Sequence, residues 1–248
     1  MPTLHLFTGL KKLELVAMHH LPIDINHFAQ CRLLKHLVLD GARCLAMPEY
    51  DTGQPSVDER PHPNLCALES LSVKCATCAL DIVRELDLSS LRTLNVSRPL
   101  NIHVLQKLLT AAQALEHLSF TFMESEHSDF AGAYTTLPTL RFITITAFFP
   151  SRFLAHLPAL LELSSGMLQN ISLTLYMQIK FAAAAAHDIW GTLDTAQANN
   201  VSLRFLSIEK EHVLQKEDGQ VFWSQFPIRK VGGQGKTMGI WWNGVQVT

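Results

Sequence analysis

Apolar residues recur along this chain as a triplet at the first, fourth and sixth positions of a hexamer. In the stretch Leu115 to Phe120 (LEHLSF), Leu118 and Phe120 are two apart while Glu116, His117 and Ser119 are polar. Side chains alternate across a strand, so Leu118 and Phe120 share one face and Ser119 takes the other; Leu115 fits the turn that enters it. The same template reads Leu10-Leu13-Leu15, Leu34-Leu37-Leu39, Leu68-Leu71-Val73, Leu91-Leu94-Val96, Leu140-Ile143-Ile145, Leu168-Ile171-Leu173 and Leu203-Leu206-Ile208. Successive starts lie 24, 34, 23, 24, 25, 28 and 35 residues apart.

Self-similarity at this period predicts a leucine-rich repeat solenoid. The fold class is α/β: a curved parallel sheet with helices or irregular segments on its convex side, in about eight irregular repeats. Several return segments are legible. Ile102, Leu105, Leu108, Leu109 and Ala112 keep helical spacing, with Asn101 as N-cap after Pro99. Ile82, Val83, Leu86 and Leu88 suggest a short amphipathic helix. Phe153, Leu154, Leu157, Leu160 and Leu161 suggest a helical face interrupted by Pro158. The alanine-rich run from Phe181 to Ala198 predicts a further helix, since alanine has the highest helix propensity.

The array spans 1–210. Within it, 43–64 reads as an inserted loop, because Pro48, Pro55, Pro61 and Pro63 remove donors and fix φ. The segment 211–248 reads as a C-terminal cap, with extended pieces at Met238 to Trp242 and Val245 to Val247 around the Asn243-Gly244 turn signal. Trp223, Trp241 and Trp242 offer apolar area to cover a terminal flank. The first strand, around Leu13, comes without a preceding polar cap, which suggests a further segment or a partner on that flank.

Residues between the template leucines line the concave face. The middle row is Glu14, Val38, Ser72, Asn95, Ser119, Thr144, Ser172 and Ser207; beside it run Lys12, His36, Ser70, Thr93, His117, Phe142, Asn170 and Phe205. Serine and threonine on neighbouring strands favour sheet formation on their own. They equally suit a hydrogen-bonding groove, and aromatic residues supply binding hot spots where isolated serines do not. The candidate partner-binding residues are therefore Lys12, Glu14, His36, His117, Phe142, Thr144, Asn170 and Phe205, with Phe142 and Phe205 as anchors.

Composition narrows the classes. Hydrophobic residues make up 48% and charged residues 17%, enough to bury a long core. The net charge of -2 gives no broad attraction to nucleic acid or to an anionic membrane. A membrane-spanning helix needs about 20 apolar residues in a row. The run from Phe181 to Ala186 stops at His187 and Asp188. Five cysteines form no regular framework and no secretory leader is visible, so the expectation is a reducing compartment, cytoplasmic or nuclear; separately, a monomer is expected.

Three features hint at chemistry and fail on spacing. Cys75 and Cys78 match a CxxC pair, but a structural zinc site needs four ligands and no second close pair accompanies them. The run Gly232 to Thr237 would need glycine where Lys230 stands to be a phosphate loop. Twelve histidines are scattered without HExxH or GxSxG patterns. No enzyme activity, cofactor or metal is expected.

The LxxLxL hexamers at irregular 23 to 35 residue spacing, across about 7–210, resemble the leucine-rich repeat region of fungal F-box proteins. The resemblance implies substrate recognition for a cullin-RING ubiquitin ligase, joined through an F-box to its adaptor. Leu21-Pro22-Ile23-Asp24-Ile25 is similar to the LPxE[IL] opening of that motif, but a complete F-box does not fit between two strands this close, so an F-box would lie upstream. The alternative is a stand-alone scaffold or regulatory repeat protein. The asparagine common after the strand in regular repeats is replaced here, by Met18, Ala42, Ala76, Pro99, Met123, Phe148, Tyr176 and Glu211. Uneven turns follow.

Overall fold

The computed structural model describes residues 9–16, 22–23, 31–40, 43–44, 67–74, 86–97, 102–123, 136–148, 157–162, 164, 168–177, 189, 200–207, 237–242 and 245–247. The chain forms two compact units, 1–115 and 116–248.

The first unit holds β1 (Lys12–Val16), β3 (His36–Asp40), β5 (Ser70–Val73) and β6 (Thr93–Val96), paired in parallel in chain order. The template leucines are the register marks: Leu13 pairs with Leu37, Leu37 with Leu71, and Leu71 with Leu94. Two-residue strands β2 (Pro22–Ile23) and β4 (Arg43–Cys44) form a separate parallel pair. Among the described residues of this unit the helix is α1 (Ile102–Ala111). Leu105, Leu108, Leu109 and Ala112 fall on one side at helical spacing, and all four are buried. Its last turn is tied off by the Gln113 side-chain amide, which donates to the Thr110 carbonyl at 3.0 Å.

The second unit stacks β7 (His117–Met123), β8 (Phe142–Phe148), β9 (Asn170–Met177), β10 (Asn200–Ser207) and β11 (Thr237–Trp242) in parallel, and β12 (Val245–Val247) turns back antiparallel on β11. Eight of these strands across the two units carry the eight repeats, and β11 adds another parallel rung. This is the leucine-rich repeat solenoid. In unit two, 157–161 is helical with Leu157, Leu160 and Leu161 buried. Within it the Pro158 carbonyl accepts the Glu162 N–H at 3.0 Å. Ile189 is helical and buried.

Why the hexamers form rungs is visible in the entry to each strand. The N–H of the first template leucine donates to the carbonyl three residues earlier: Leu34 to Cys31 at 2.8 Å, Leu91 to Leu88 at 3.0 Å, Leu115 to Ala112 at 3.2 Å and Leu140 to Leu137 at 3.2 Å. Cys31, Leu88, Ala112 and Leu137 are all buried, so the inward set is four positions deep and begins before the hexamer. Past the turn, the carbonyl just ahead of a strand accepts two N–H groups from the next rung. Lys11 receives Lys35 and His36 at 2.9 and 3.1 Å, and Arg141 receives Gln169 and Asn170 at 2.8 and 3.1 Å. Backbone groups that a turn would leave unpaired are thereby satisfied.

The core lies under the template rows. Leu71, Leu91, Leu94, Leu140 and Leu173 are fully buried, each contributing about 1.5 to 3 kcal/mol relative to an exposed side chain. At β1 the same positions, Leu13 and Leu15, are only half-buried, and Val16 is 59% exposed.

One rung departs from the sequence reading. The triplet Leu203-Leu206-Ile208 is not the eighth rung; Val201 pairs with Ile171 and Leu203 with Leu173. Leu203 therefore occupies the third template position, a shift of five residues. An odd shift exchanges the two faces of a strand. The outward positions of β10 become Asn200, Ser202 and Arg204 in place of Phe205, Ser207 and Glu209.

Most of the predicted 43–64 loop lies outside the described residues; Arg43–Cys44, its first two, form β4. The segments 81–85, 153–156, 181–188 and 190–198 of the predicted helices also lie outside them, as do Asn101, the Cys75 and Cys78 pair and 232–236. Among the described residues no helix is long and apolar enough to cross a membrane.

Candidate recognition surface

The polar face of unit one is tied up by its own charges. Lys12 and Glu14, two apart on β1 and both exposed, form an ion pair at 2.6 Å. Lys74, just past β5, bridges to Asp40 on β3 at 2.8 Å. Lys35 and Glu69, the residues ahead of β3 and β5, form a third pair. The Lys35 hydrogen bond, aided by the nearby positive charges of His36 and Arg92, holds the Glu69 carboxyl below the usual glutamate range. His36 is exposed, in register between Lys12 and Ser70. Ser97 donates to the Asn95 side chain at 3.1 Å.

Unit two presents different chemistry. Its outward rows are His117, Phe142, Asn170 and Asn200 in one register, then Ser119, Thr144, Ser172 and Ser202, then Thr121, Thr146, Thr174 and Arg204. In the first row the His117 and Phe142 rings stack at 4.3 Å with planes 1° apart. Next to them the Asn200 amide donates to the Asn170 side-chain oxygen at 2.6 Å. At the far end of the same strands the Phe148 and Tyr176 rings stack at 4.3 Å with planes 13° apart. Strand pairing alone brings these groups together, since residues in register on neighbouring strands stand about 4.8 Å apart.

Of the eight sequence candidates, His117, Phe142 and Asn170 are consecutive in one row, and exposed Thr144 lies one position along from Phe142 on the same face. Lys12, Glu14 and His36 are together in unit one. Phe205 does not join the row: it is in register with Leu175, which continues the buried line of Phe122 and Ala147. Asn200 takes the place assigned to it. Sequence reading also missed Phe148 and Tyr176 as outward-facing groups. Continuing the alternation two steps past the hexamer would have found them, because both lie six residues after Phe142 and Asn170.

Cys31 is buried, and burial pushes its thiol above the usual cysteine range. A neutral buried thiol packs as a small apolar group. Among the described residues no group of three His, Cys, Asp or Glu side chains gathers to hold a metal ion.

The chain matches no known protein-family pattern, no curated protein and no solved structure.

Proposed function

We propose that this protein is a recognition module that holds a protein partner against the polar face of its parallel strands. The observation that carries this reading is the in-register row His117, Phe142, Asn170 and Asn200, with hydroxyl-bearing rows beside it. A regular sheet supplies rigid positions for such groups, and aromatic side chains are the usual energetic anchors of an interface. In its most specific form the module selects substrates for an F-box-type cullin-RING ubiquitin ligase. That form rests on the resemblance of the repeat pattern and requires an F-box elsewhere in the protein.

A second reading, a stand-alone scaffold or regulatory repeat protein, is favoured by one detail. Pro22 and Ile23, the centre of the F-box-like fragment, pair with Arg43 and Cys44 as a strand within the repeats. Affinity purification of the protein from its native host separates the two. Recovery of a cullin and its adaptor supports the ligase form, and reproducible partners without them support the scaffold. If Phe142→Ser and Thr144→Lys each leave every captured partner unchanged, the recognition reading of this face is lost.

A further inference from the structure

The contrast between the two polar faces narrows what the second can hold. The outward strand positions of unit one carry Lys12, Glu14 and Asp40, with Lys12 paired to Glu14 and Asp40 to Lys74 just past β5. On the described outward strand positions of unit two Arg204 is the one formally charged side chain; Glu116 and Arg141 stand just ahead of β7 and β8, and the central positions are hydroxyls. Serine and threonine hydroxyls can satisfy backbone amides and carbonyls, but they compensate a desolvated charge poorly. A partner laid over Thr144, Thr146, Ser172 and Thr174 is therefore uncharged where it touches them.

Size and spacing add a second constraint. Four strands at about 4.8 Å and seven residues at about 3.3 Å give a face of roughly 19 by 23 Å, on the order of 400 Å². A folded partner of standard kind covers about 800 Å² per side. This face suits a chain segment. Its two aromatic pairs are six residues apart along β8, from Phe142 to Phe148, which is about 20 Å. In each pair the rings cover one face of each other, and Phe142, Phe148 and Tyr176 stay half-buried, so each pair offers a partly exposed apolar contact.

Building on the recognition reading above, we propose that the β7 to β10 face binds an extended, uncharged peptide segment of a protein partner, running along the strands. One apolar side chain of the segment rests beside the His117 and Phe142 pair. A second, about six residues away at about 3.3 Å per residue, rests beside the Phe148 and Tyr176 pair. The backbone between them exchanges hydrogen bonds with the threonine and serine hydroxyls.

A random 12-residue peptide library selected on the immobilised full chain tests this. The expected result is enrichment of peptides with an uncharged centre and two apolar residues five to seven positions apart. The best of them should lose at least tenfold in affinity on Phe148→Ser with Tyr176→Ser. Thr144→Lys, at an exposed position that should not disturb folding, should cost a similar factor. No enrichment, enrichment of charged centres, or spacing without preference overturns the proposal. If native partners are still captured through Phe142 and Thr144 while no peptide is enriched, this inference falls and the broader recognition reading stands. If neither binds, both fall.

Discussion

The rings of His117 and Phe142, on adjacent strands and 25 residues apart in the chain, lie 4.3 Å apart and parallel to within 1°. Parallel pairing at fixed register puts them there, and the contact then stabilises the pairing that made it. A double-mutant cycle of His117→Ala and Phe142→Ala should give a coupling of about 0.5 to 1.5 kcal/mol in urea unfolding. Strict additivity of the two single variants would mean that the stack contributes nothing to the sheet.

Leu203 and Phe142 should behave differently, although both stand on strands of the same sheet. Leu203 on β10 is fully buried in register with Leu173, and Phe142 is half-buried on the outward face. Leu203→Ala is expected to cost about 2 to 5 kcal/mol of stability, and Phe142→Ala no more than about 1.5. Equal, small losses on thermal unfolding would contradict the register of β10.

Rungs inside unit one should be far more sensitive than its first strand. Leu94 on β6 is fully buried, whereas Leu13 on β1 is half-buried. Leu94→Ala should destabilise by about 2 to 5 kcal/mol, and Leu13→Ala by about 1. In a solenoid each rung contacts its neighbours, so hydrogen exchange should show the Leu94 loss concentrated at β5 and β6.

Ser202 offers a substitution of the opposite sign. Its hydroxyl is sealed from solvent and has no hydrogen-bond partner. Removing a buried, unsatisfied group relieves its desolvation cost, so Ser202→Ala should be neutral or stabilise by about 1 kcal/mol. A clear fall in melting temperature would point to a partner for this oxygen.

Glu69 fixes the sign of one pH effect. Its folded-state pKa lies below the ordinary value because of the Lys35 hydrogen bond and neighbouring positive charge. A depressed carboxyl contributes stability at a pH above its unfolded value, about 4.3, and loses it as the pH falls through the lower folded value. The Glu69→Gln variant should melt slightly below the parent at neutral pH, with the gap closing at more acidic pH. Because the Lys35 and Glu69 pair stands at the solvent surface the gap should also shrink in high salt.

Much of this architecture was legible in the residues themselves. A leucine triplet with polar neighbours at alternate positions specifies a half-buried strand locally, and repetition specifies that the strands stack. Seven of the eight triplets pair or align as read, and the spacing from Leu105 to Ala112 specified α1 in the same way. The row His117, Phe142 and Asn170 followed, because it needed only the correct position within each hexamer. The eighth rung was different. Val201-Leu203 and Leu206-Ile208 are both apolar pairs at the right spacing, and nothing local separates them. Eight residue pairs between Asn170–Met177 and Asn200–Ser207 made the choice. Sequence by itself determined which residues form rungs, because alternation is a property of neighbours along the chain. Only the tertiary structure decided which face of β10 meets the core and that Phe148 stacks on Tyr176, because register between strands is set by pairing across distant segments and an odd slip inverts every side chain.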